Sequence, residues 1–320
     1  SMLSIKRNKN GDKAIASGFR IRANTIYKPN QREDFKISRG KFQEFVNDPR
    51  YFYMDRVLGI KRPSMPGWSL NSLTDQLLKK EFDECREKQV PHRLMKKNGL
   101  NHLVPYKHEM MDKWRDSLHH GLQYKYKDTN IILTGGVDDI WQDTRDQSLV
   151  VVDYKSQASK TPTSAEEYFS SPYHDSYKTQ LDFYNYLMQE TGMKVSKQGY
   201  FVIVNAVHKD GFHGCLNFDE VIIPYTCNTD WIPEKVDEML EVLNSSEMPM
   251  ESSSSENSAY ENAVASLLHN DKISELKERI EEYEEDAAAH IDEIFRITCE
   301  LENRDDTINE MNSRLRRLGP

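Results

Sequence analysis

Cysteine is scarce in this chain of 320 residues. The four cysteines are scattered along the sequence and form no CxxC pair: Cys85, Cys215, Cys227 and Cys299. Their spacing excludes a local zinc knuckle and a disulfide framework of the kind found in small secreted domains. We therefore expect the protein to work in a reducing compartment.

Long apolar runs are also absent. No stretch approaches the ~18 consecutive apolar residues of a transmembrane helix, and the N-terminus lacks the apolar region of a signal peptide. The sequence therefore predicts a soluble protein of the cytoplasm, nucleoid or nucleus, with no membrane partner.

The chain is poor in hydrophobic residues, at 37 %, and rich in charged residues, at 30 %. This composition indicates that part of the chain is a solvated helix or tail rather than packed core. The formal net charge of -9 would argue against a nucleic-acid partner if it were spread evenly, because phosphate binding depends on Lys and Arg.

A C-terminal heptad repeat carries most of this acidity. Between Ile273 and Leu318, twelve of the fourteen repeat positions are apolar or aromatic, and His290 and Arg304 are the exceptions. The pattern predicts a coiled coil over residues 271–320 that joins copies of the chain. A single amphipathic helix folded back on the domain is the alternative. The segment accounts for -7 of the net charge, which leaves -2 for residues 1–270.

Composition divides the rest of the chain into three parts. Residues 1–37 form a basic N-terminal arm, which is either a phosphate-binding segment or a solvated terminus. Residues 38–244 carry the periodic apolar patterns of a folded domain. Residues 245–270 open with the Ser-rich run SSEMPMESSSSENS, which predicts a flexible linker at the domain edge.

Hydrophobic periodicity in the folded domain predicts helices and strands in the order α-α-β-β-α-β. A helix opens at Ser38 and is interrupted at Pro49; further helices are predicted over 69–86, 174–191 and 233–243, and strands over 131–141, 148–156, 200–207 and 220–226. The helix over 69–86 places five apolar residues on one face: Leu70, Leu73, Leu77, Leu78 and Phe82. The order of elements favours an α/β fold with a mixed sheet.

Residues 86–127 combine positive charge with aromatic rings. They contain ten basic residues, four acids and five histidines, and four larger rings lie between them: Tyr106, Trp114, Tyr124 and Tyr126. This mixture is typical of surfaces that stack bases and follow a phosphate backbone. An ordinary basic surface is the alternative.

The strands over 131–141 and 148–156 predict a hairpin that brings two carboxylates together. Pairing about residues 145 and 146 sets Asp138 opposite Asp153, with Cβ atoms ~4.5–5.5 Å apart, and Lys155 follows on the same face. Two facing carboxylates repel each other unless a cation intervenes, and hard oxygen ligands favour Mg²⁺ or Mn²⁺. The Lys155 ammonium suits a site that orients water or holds a phosphate; a plain ion pair is the alternative.

Three short sequence motifs lie in this hairpin and in the helix predicted after it. GGVD (135–138), VVVDYK (150–155) and QLDFY (180–184) follow the order GxxD, (D/E)xK and QxxxY. From about Ser38 to Tyr260 the chain therefore resembles the RecB-like branch of the PD-(D/E)xK nuclease superfamily, related to CRISPR-associated and AddB-type exonuclease domains. The resemblance implies an α/β fold with a restriction-endonuclease-like core, in which helices flank a mixed central sheet, ahead of the coiled coil.

The resemblance also implies roles for single residues. Asp138 and Asp153 would ligate the metal together with the backbone carbonyl of Tyr154, and Lys155 would position or activate the attacking water. Gln180 and Tyr184, which lie one helical turn apart, would contact the DNA backbone and brace the site. The alternative for this last pair is ordinary helix packing.

The chain departs from the family pattern in two places. The helix before the hairpin usually offers a histidine as a further metal ligand, and here Asp75 stands at the best-aligned position; an exposed helical aspartate is the alternative. Members of this branch that bind an iron–sulfur cluster carry cysteines in two sequence segments. In this chain the corresponding segments read Asp48-Pro49-Arg50 and, later, SENSAY (255–260). Asp and Ser do not hold such a cluster, so we expect none.

These features predict a Mg²⁺- or Mn²⁺-dependent deoxyribonuclease, either an exonuclease or a structure-selective endonuclease, in DNA repair, recombination or defence. Its expected partners are single-stranded DNA or duplex ends, a second copy of the chain, and a helicase or repair protein; RNA is a weaker candidate. The alternative is a catalytically weak nucleic-acid-binding or scaffolding protein that oligomerises through the coiled coil.

Overall fold

A computed structural model describes residues 10–11, 20, 22–61, 67–160, 163–209 and 211–250. The predicted coiled coil, most of the N-terminal arm and the later iron–sulfur segment lie outside these residues. The chain divides into two compact units. The sheet unit comprises Arg32–Gln43 and Gly67–Glu238, and the terminal unit comprises the described parts of Ser1–Gln31, Glu44–Pro66 and Met239–Pro320.

The described residues form helices and strands that we number in chain order. The helices are α1 (Arg39–Asn47), α2 (Pro49–Arg56), α3 (Ser69–Lys88), α4 (Arg93–Lys97), α5 (Met111–Arg115), α6 (Ala165–Ser170), α7 (Asp175–Glu190) and α8 (Ile232–Leu243). The strands are β1 (Phe35–Ser38), β2 (Leu103–Pro105), β3 (Leu122–Lys125), β4 (Ile131–Gly135), β5 (Asp139–Asp143), β6 (Leu149–Gln157), β7 (Gln198–Ala206) and β8 (Phe218–Thr226). No helix in this part of the chain is both long and apolar enough to cross a bilayer.

Two sheets build the sheet unit. The larger has the strand order β2-β5-β6-β7-β8, in which β6 and β7 run parallel and the other pairs run antiparallel. The smaller has the order β1-β4-β3, with β1 parallel to β4 and β3 antiparallel to it. Helices α3 and α7 both contact β6. The predicted α/β class with a mixed sheet flanked by helices is confirmed.

The strand predicted over 131–141 is wrong, because it is two strands in two sheets. β4 ends at Gly135 in the small sheet, and β5 begins at Asp139 in the large one. The chain turns between them where other groups approach the backbone closely: a Cβ on Gly135 would lie 2.6 Å from Cε1 of Tyr184, and one on Gly136 would lie 2.6 Å from Cα of Ser117. Glycine within a predicted strand often marks such an approach.

The β5–β6 hairpin has the register expected from the sequence. Asp139 pairs with Val152, and Trp141 pairs with Val150. The predicted register is therefore confirmed over Asp139–Asp143, and Asp138 precedes the first pair and reaches β6 through the backbone N–H of Tyr154.

Helix α3 forms as predicted, but the apolar face assigned to it is wrong. Leu78 and Phe82 are buried, at 5 % and 0 % exposure, and pack in one cluster with α4, β5 and β6. Three other leucines of the helix are at least half exposed: Leu70, Leu73 and Leu77. Successive helical residues turn by ~100°, so these three form a second stripe about a quarter turn or more from the buried one.

The terminal unit contains the break predicted at Pro49. The side chain of Asp48 accepts a hydrogen bond of 3.1 Å from the backbone N–H of Tyr51, and Pro49 occupies the first turn of α2. Both features favour the start of a helix. Asp48 stands in the first iron–sulfur segment, and here its carboxylate caps α2.

Candidate functional site

The candidate site lies where the loop after β4 meets the middle of β6. Asp138 is the last residue of this loop, and its carboxylate is held from two sides. Oδ2 accepts a hydrogen bond of 2.8 Å from the backbone N–H of Tyr154, and Oδ1 lies 3.5 Å from Nζ of Lys79. The side chain remains 24 % exposed, so one part of the carboxylate faces solvent.

Asp153 is fully buried on β6, with 0 % of its side chain exposed. Neither carboxylate oxygen has a hydrogen-bond partner among the described residues. Nζ of Lys155 lies 2.5 Å from Oδ2, close enough for an ion pair but not aligned as a hydrogen bond. Burial raises the pKa of Asp153 to about 7; Lys155 opposes this shift and the negative charge of Asp138 adds to it.

Lys155 is held by groups on β6 and α7. Its ammonium donates a hydrogen bond of 3.0 Å to Oε1 of Gln180 and lies 4.3 Å from the ring centre of Tyr177. Burial alone would lower the pKa of Lys155, but Asp153 and Asp138 outweigh it and the net pKa is raised. Lys155 therefore stays protonated at neutral pH.

Gln180 and Tyr184 link this cation to the helix. Nε2 of Gln180 donates a hydrogen bond of 3.2 Å to Oη of Tyr184, so a polar chain runs from Tyr184 through Gln180 to Lys155. Tyr184 is only 3 % exposed, and the space it fills is the one that a side chain at Gly135 would need. The geometry favours bracing over substrate contact for Tyr184.

Asp75 is linked to Asp138 by an ion pair that each of them forms with Lys79. Nζ of Lys79 lies 2.9 Å from Oδ2 of Asp75, one helical turn earlier, and 3.5 Å from Oδ1 of Asp138. Burial raises the pKa of Asp75, which Lys79 counteracts. In the described part of the chain, no three His, Cys, Asp or Glu side chains converge as metal ligands. Asp75 is thus placed beside Asp138 with Lys79 between them, and its role as a ligand stays a prediction.

A second buried carboxylate, Asp139, fixes the loop that carries Asp138. Asp139 has 0 % exposure and accepts hydrogen bonds from Nη2 of Arg86 at 2.5 Å and from Oη of Tyr154 at 2.5 Å. Its remaining donors are Nε1 of Trp141 at 3.2 Å and its neighbour's N–H at 2.8 Å. Tyr154 therefore holds Asp138 with its backbone and Asp139 with its hydroxyl.

Sequence reasoning missed four residues of this arrangement: Lys79, Arg86, Asp139 and Tyr177. The Asp138-Asp139 doublet was one available signal, because strand side chains alternate and two adjacent carboxylates must face opposite sides of the sheet. The spacing of Asp75 and Lys79, four residues apart on a helix, was another. Nothing local in the sequence indicates Tyr177 or Arg86.

The donor set fits a hard divalent cation. Asp153 presents buried carboxylate oxygens that have an ion pair with Lys155 but no hydrogen-bond partner among the described residues, and the negative charge of Asp138 acts on it. Buried carboxylates are ordinarily paired, hydrogen-bonded or bound to metal. Carboxylate and carbonyl oxygens are the ligands that Mg²⁺ and Mn²⁺ prefer, so Asp138, Asp153 and the carbonyl of Tyr154 suit such an ion.

The comparison with known families agrees with this geometry. The model of the PD-(D/E)XK nuclease superfamily matches residues 36–307, and the chain belongs to that superfamily. Membership indicates a metal-dependent nuclease that binds nucleic acid. No curated protein matches the sequence.

Replacing Gly135 with alanine is expected to destabilise the protein by ~1–3 kcal/mol, because the new Cβ would lie 2.6 Å from the ring of Tyr184. The displaced ring would also disturb Gln180 and so slow any reaction that depends on Lys155. Thermal unfolding of Gly135→Ala and of Gly67→Ala, whose Cβ would meet open space, measures the effect. Equal melting temperatures would contradict the packing described here.

Proposed function

We propose that the protein is a Mg²⁺- or Mn²⁺-dependent deoxyribonuclease of the RecB-like branch, an exonuclease or a structure-selective endonuclease, without an iron–sulfur cluster. The observation that carries the proposal is the buried carboxylate of Asp153, on which the negative charge of Asp138 acts and which lies beside the ammonium of Lys155. Lys155 offsets only part of the cost of burying this charge, because the pKa of Asp153 stays raised, and a bound divalent cation would offset the rest.

Asp138, Asp153 and the carbonyl of Tyr154 would hold the cation. A bound divalent ion supplies positive charge for the phosphate oxygens of the substrate. Hydrolysis forms a bond from the water oxygen to phosphorus and breaks the bond from phosphorus to the leaving sugar oxygen, which takes up a proton.

Lys155 acts as a fixed cation in this mechanism. Its hydrogen bond to Gln180 and its ion pair with Asp153 hold Nζ in place, with no reorganisation needed when charge develops on the phosphate. A raised pKa keeps the ammonium charged at neutral pH. Lys155 thus positions the attacking water or a phosphate oxygen by donating a hydrogen bond.

The test of this proposal is a cleavage panel. The full chain is incubated with linear and circular DNA, single- and double-stranded, and with RNA, in Mg²⁺, Mn²⁺ or EDTA, beside Lys155→Ala. We expect metal-dependent DNA cleavage that falls at least ~100-fold in the variant. Binding of nucleic acid without any cleavage would favour the scaffolding alternative. Cleavage of RNA alone would overturn the proposal that DNA is the substrate.

Replacing Lys79 with glutamine is expected to tighten divalent-cation binding about fivefold or more. Its ammonium lies within 4 Å of Asp75 and Asp138, so it competes with a divalent cation for these carboxylates, and an interaction of ~1 kcal/mol, the size for unit charges ~4 Å apart in bulk water, changes an affinity about fivefold. Calorimetric titration with Mn²⁺ measures the affinity, and Lys80→Gln, on an exposed neighbour, is the control. Unchanged or weaker binding in Lys79→Gln would show that Lys79 does not act on the cation site.

Self-association through residues 271–320, the basic arm at residues 1–37 and a helicase or repair partner remain predictions from the sequence.

A further inference from the structure

Three aromatic rings form a stack beside the candidate site. The ring centres of His108 and Trp114 are 4.7 Å apart, those of Tyr106 and His108 are 5.5 Å apart, and those of Tyr106 and Trp114 are 6.5 Å apart. The ring planes differ by only 11° to 28°. We call Tyr106, His108 and Trp114 the ring stack.

The ring stack reaches the surface. His108 is exposed, and Tyr106 and Trp114 are partly exposed. The backbone N–H of Met110 donates a hydrogen bond of 3.0 Å to Nδ1 of His108, which fixes the orientation of this ring. The side chain of Tyr126, in contrast, is fully buried.

Backbone hydrogen bonds tie the ring stack to the loop that carries Asp138. The carbonyl of Trp114 accepts a hydrogen bond of 3.1 Å from the N–H of Val137, the residue before Asp138. The guanidinium of Arg86 donates a hydrogen bond of 2.8 Å to the backbone carbonyl of Tyr106 and another to the carboxylate of Asp139. The backbone of Trp114 is therefore hydrogen-bonded directly to Val137, and the backbone of Tyr106 is linked to Asp139 through Arg86.

Helix α3 contributes residues beside both features. Asp75 lies at the site, and Asp83 lies eight residues further along the same face, which corresponds to ~12 Å. Asp83 forms ion pairs with Arg86 and Arg115, next to the ring stack.

The surface around the rings is suited to an anionic chain with flat groups. Lys107 and Lys113 flank the rings in sequence, and both are exposed. Flat rings of low polarity with ammonium groups alongside are the features that bind single-stranded nucleic acid, because every base offers a π-face and every nucleotide a phosphate. In a duplex the bases stack on one another, so their faces are not available to the protein.

We propose that the ring stack is a platform for unpaired bases of the DNA strand whose phosphate lies at Asp138 and Asp153. The proposal rests on the proposed nuclease function and narrows its substrate to DNA with a single-stranded segment beside the cleaved bond. The ring stack acts in binding and not in the chemical step.

Fluorescence anisotropy of labelled oligonucleotides tests the platform. The full-length chain carrying Lys155→Ala, in Mg²⁺, is titrated with a single strand, with an abasic strand of equal length and with a blunt duplex. Adding Trp114→Ala or His108→Ala is expected to weaken binding of the single strand about tenfold. Binding of the abasic strand and the duplex is expected to change less than twofold.

Two control variants separate the platform from general damage. Trp114→Phe keeps a ring at the position and is expected to bind the single strand within about threefold of the parent. Phe212→Ala removes a ring that is 71 % exposed and belongs to the loop before β8, and it is expected to have no effect. Two results would overturn the platform. One is an equal loss of affinity for single strand, abasic strand and duplex, and the other is an unchanged affinity for the single strand in both Trp114→Ala and His108→Ala.

Failure of the platform and failure of the nuclease are distinguishable. Cleavage by the wild-type chain with unchanged single-strand binding in Trp114→Ala would sink the platform and leave the nuclease in place. Ring-dependent binding of single strands by a chain that cleaves nothing would support the platform and overturn the nuclease.

Discussion

Replacing Asp153 with asparagine is expected to stabilise the protein while it abolishes cleavage. The carboxylate is fully buried, its oxygens have no hydrogen-bond partner among the described residues, and its pKa is raised to about 7. Lys155 offsets only part of the cost of ionising Asp153, since the pKa stays raised. An asparagine resembles the neutral acid in shape and carries no charge, so the variant avoids this cost but loses a proposed metal ligand.

The size of the stabilisation depends on pH. An unfolded aspartate ionises near pH ~4, whereas folded Asp153 does so at about 7. The wild-type protein therefore loses stability as pH rises between these values, and the loss is complete above them. At pH 8 in EDTA we expect Asp153→Asn to gain on the order of 2–4 kcal/mol, or ~5 °C or more in melting temperature. At pH 4 the difference should vanish.

Thermal unfolding of wild type and variant at both pH values, in EDTA, measures this effect. Asp128→Asn, at an exposed position, is the matched control and is expected to shift the melting temperature by less than ~1 °C. A lower melting temperature for Asp153→Asn at pH 8 would mean that the ionised carboxylate is stabilised by its surroundings, which contradicts the description of the site.

Breaking the contact between Arg86 and Asp139 is expected to cost ~3–5 kcal/mol. The two side chains are 6 % and 0 % exposed, and Asp139 also accepts hydrogen bonds from Tyr154 and Trp141. Arg86→Met would leave a buried carboxylate without its cation. At ~2–4 °C per kcal/mol for a domain of this size, the melting temperature should fall by ~10 °C.

An exposed ion pair provides the comparison for Arg86. Arg93 contacts Glu220 at 2.7 Å, but its side chain is 54 % exposed. Surface pairs of this kind contribute ~0–1 kcal/mol, so Arg93→Met should lower the melting temperature by ~3 °C at most. Similar losses in the two variants would show that the Asp139 network does not support the loop of Asp138.

The hairpin and its register could be predicted because β5 and β6 are adjacent in sequence and their short turn fixes the pairing. Helix α7 was predictable for a similar reason, since its apolar period is clear and local. β6 carries the second motif and α7 the third, and the first ends immediately before β5. The central part of the candidate site thus lay within reach of the sequence.

The errors involve contacts between distant parts of the chain. β1 pairs with β4 across about a hundred residues, and a strand of four residues has no distinctive pattern of its own. Positions 135 and 136 require glycine because Tyr184 and Ser117 approach the backbone there, and neither neighbour is close in sequence. The leucines of α3 form two stripes, and only tertiary packing decides that the stripe with Leu78 and Phe82 is buried.

The ion-pair partners could not be predicted for the same reason. Lys79 contacts Asp138, and Arg86 contacts Asp139, across 53 or more residues. Charged residues on a helix surface ordinarily face solvent, so the sequence of α3 does not show that these two contact carboxylates of a distant segment.

The most direct test of the account is single-turnover cleavage of an end-labelled DNA strand by the wild-type chain, Asp138→Asn and Lys155→Ala in Mg²⁺, with EDTA as the blank. We predict cleavage by the wild-type chain that EDTA stops and that each substitution slows at least ~100-fold. Cleavage that persists in EDTA, or that proceeds at the wild-type rate in both variants, would contradict the assignment of Asp138, Asp153 and Lys155 as a metal-dependent nuclease site.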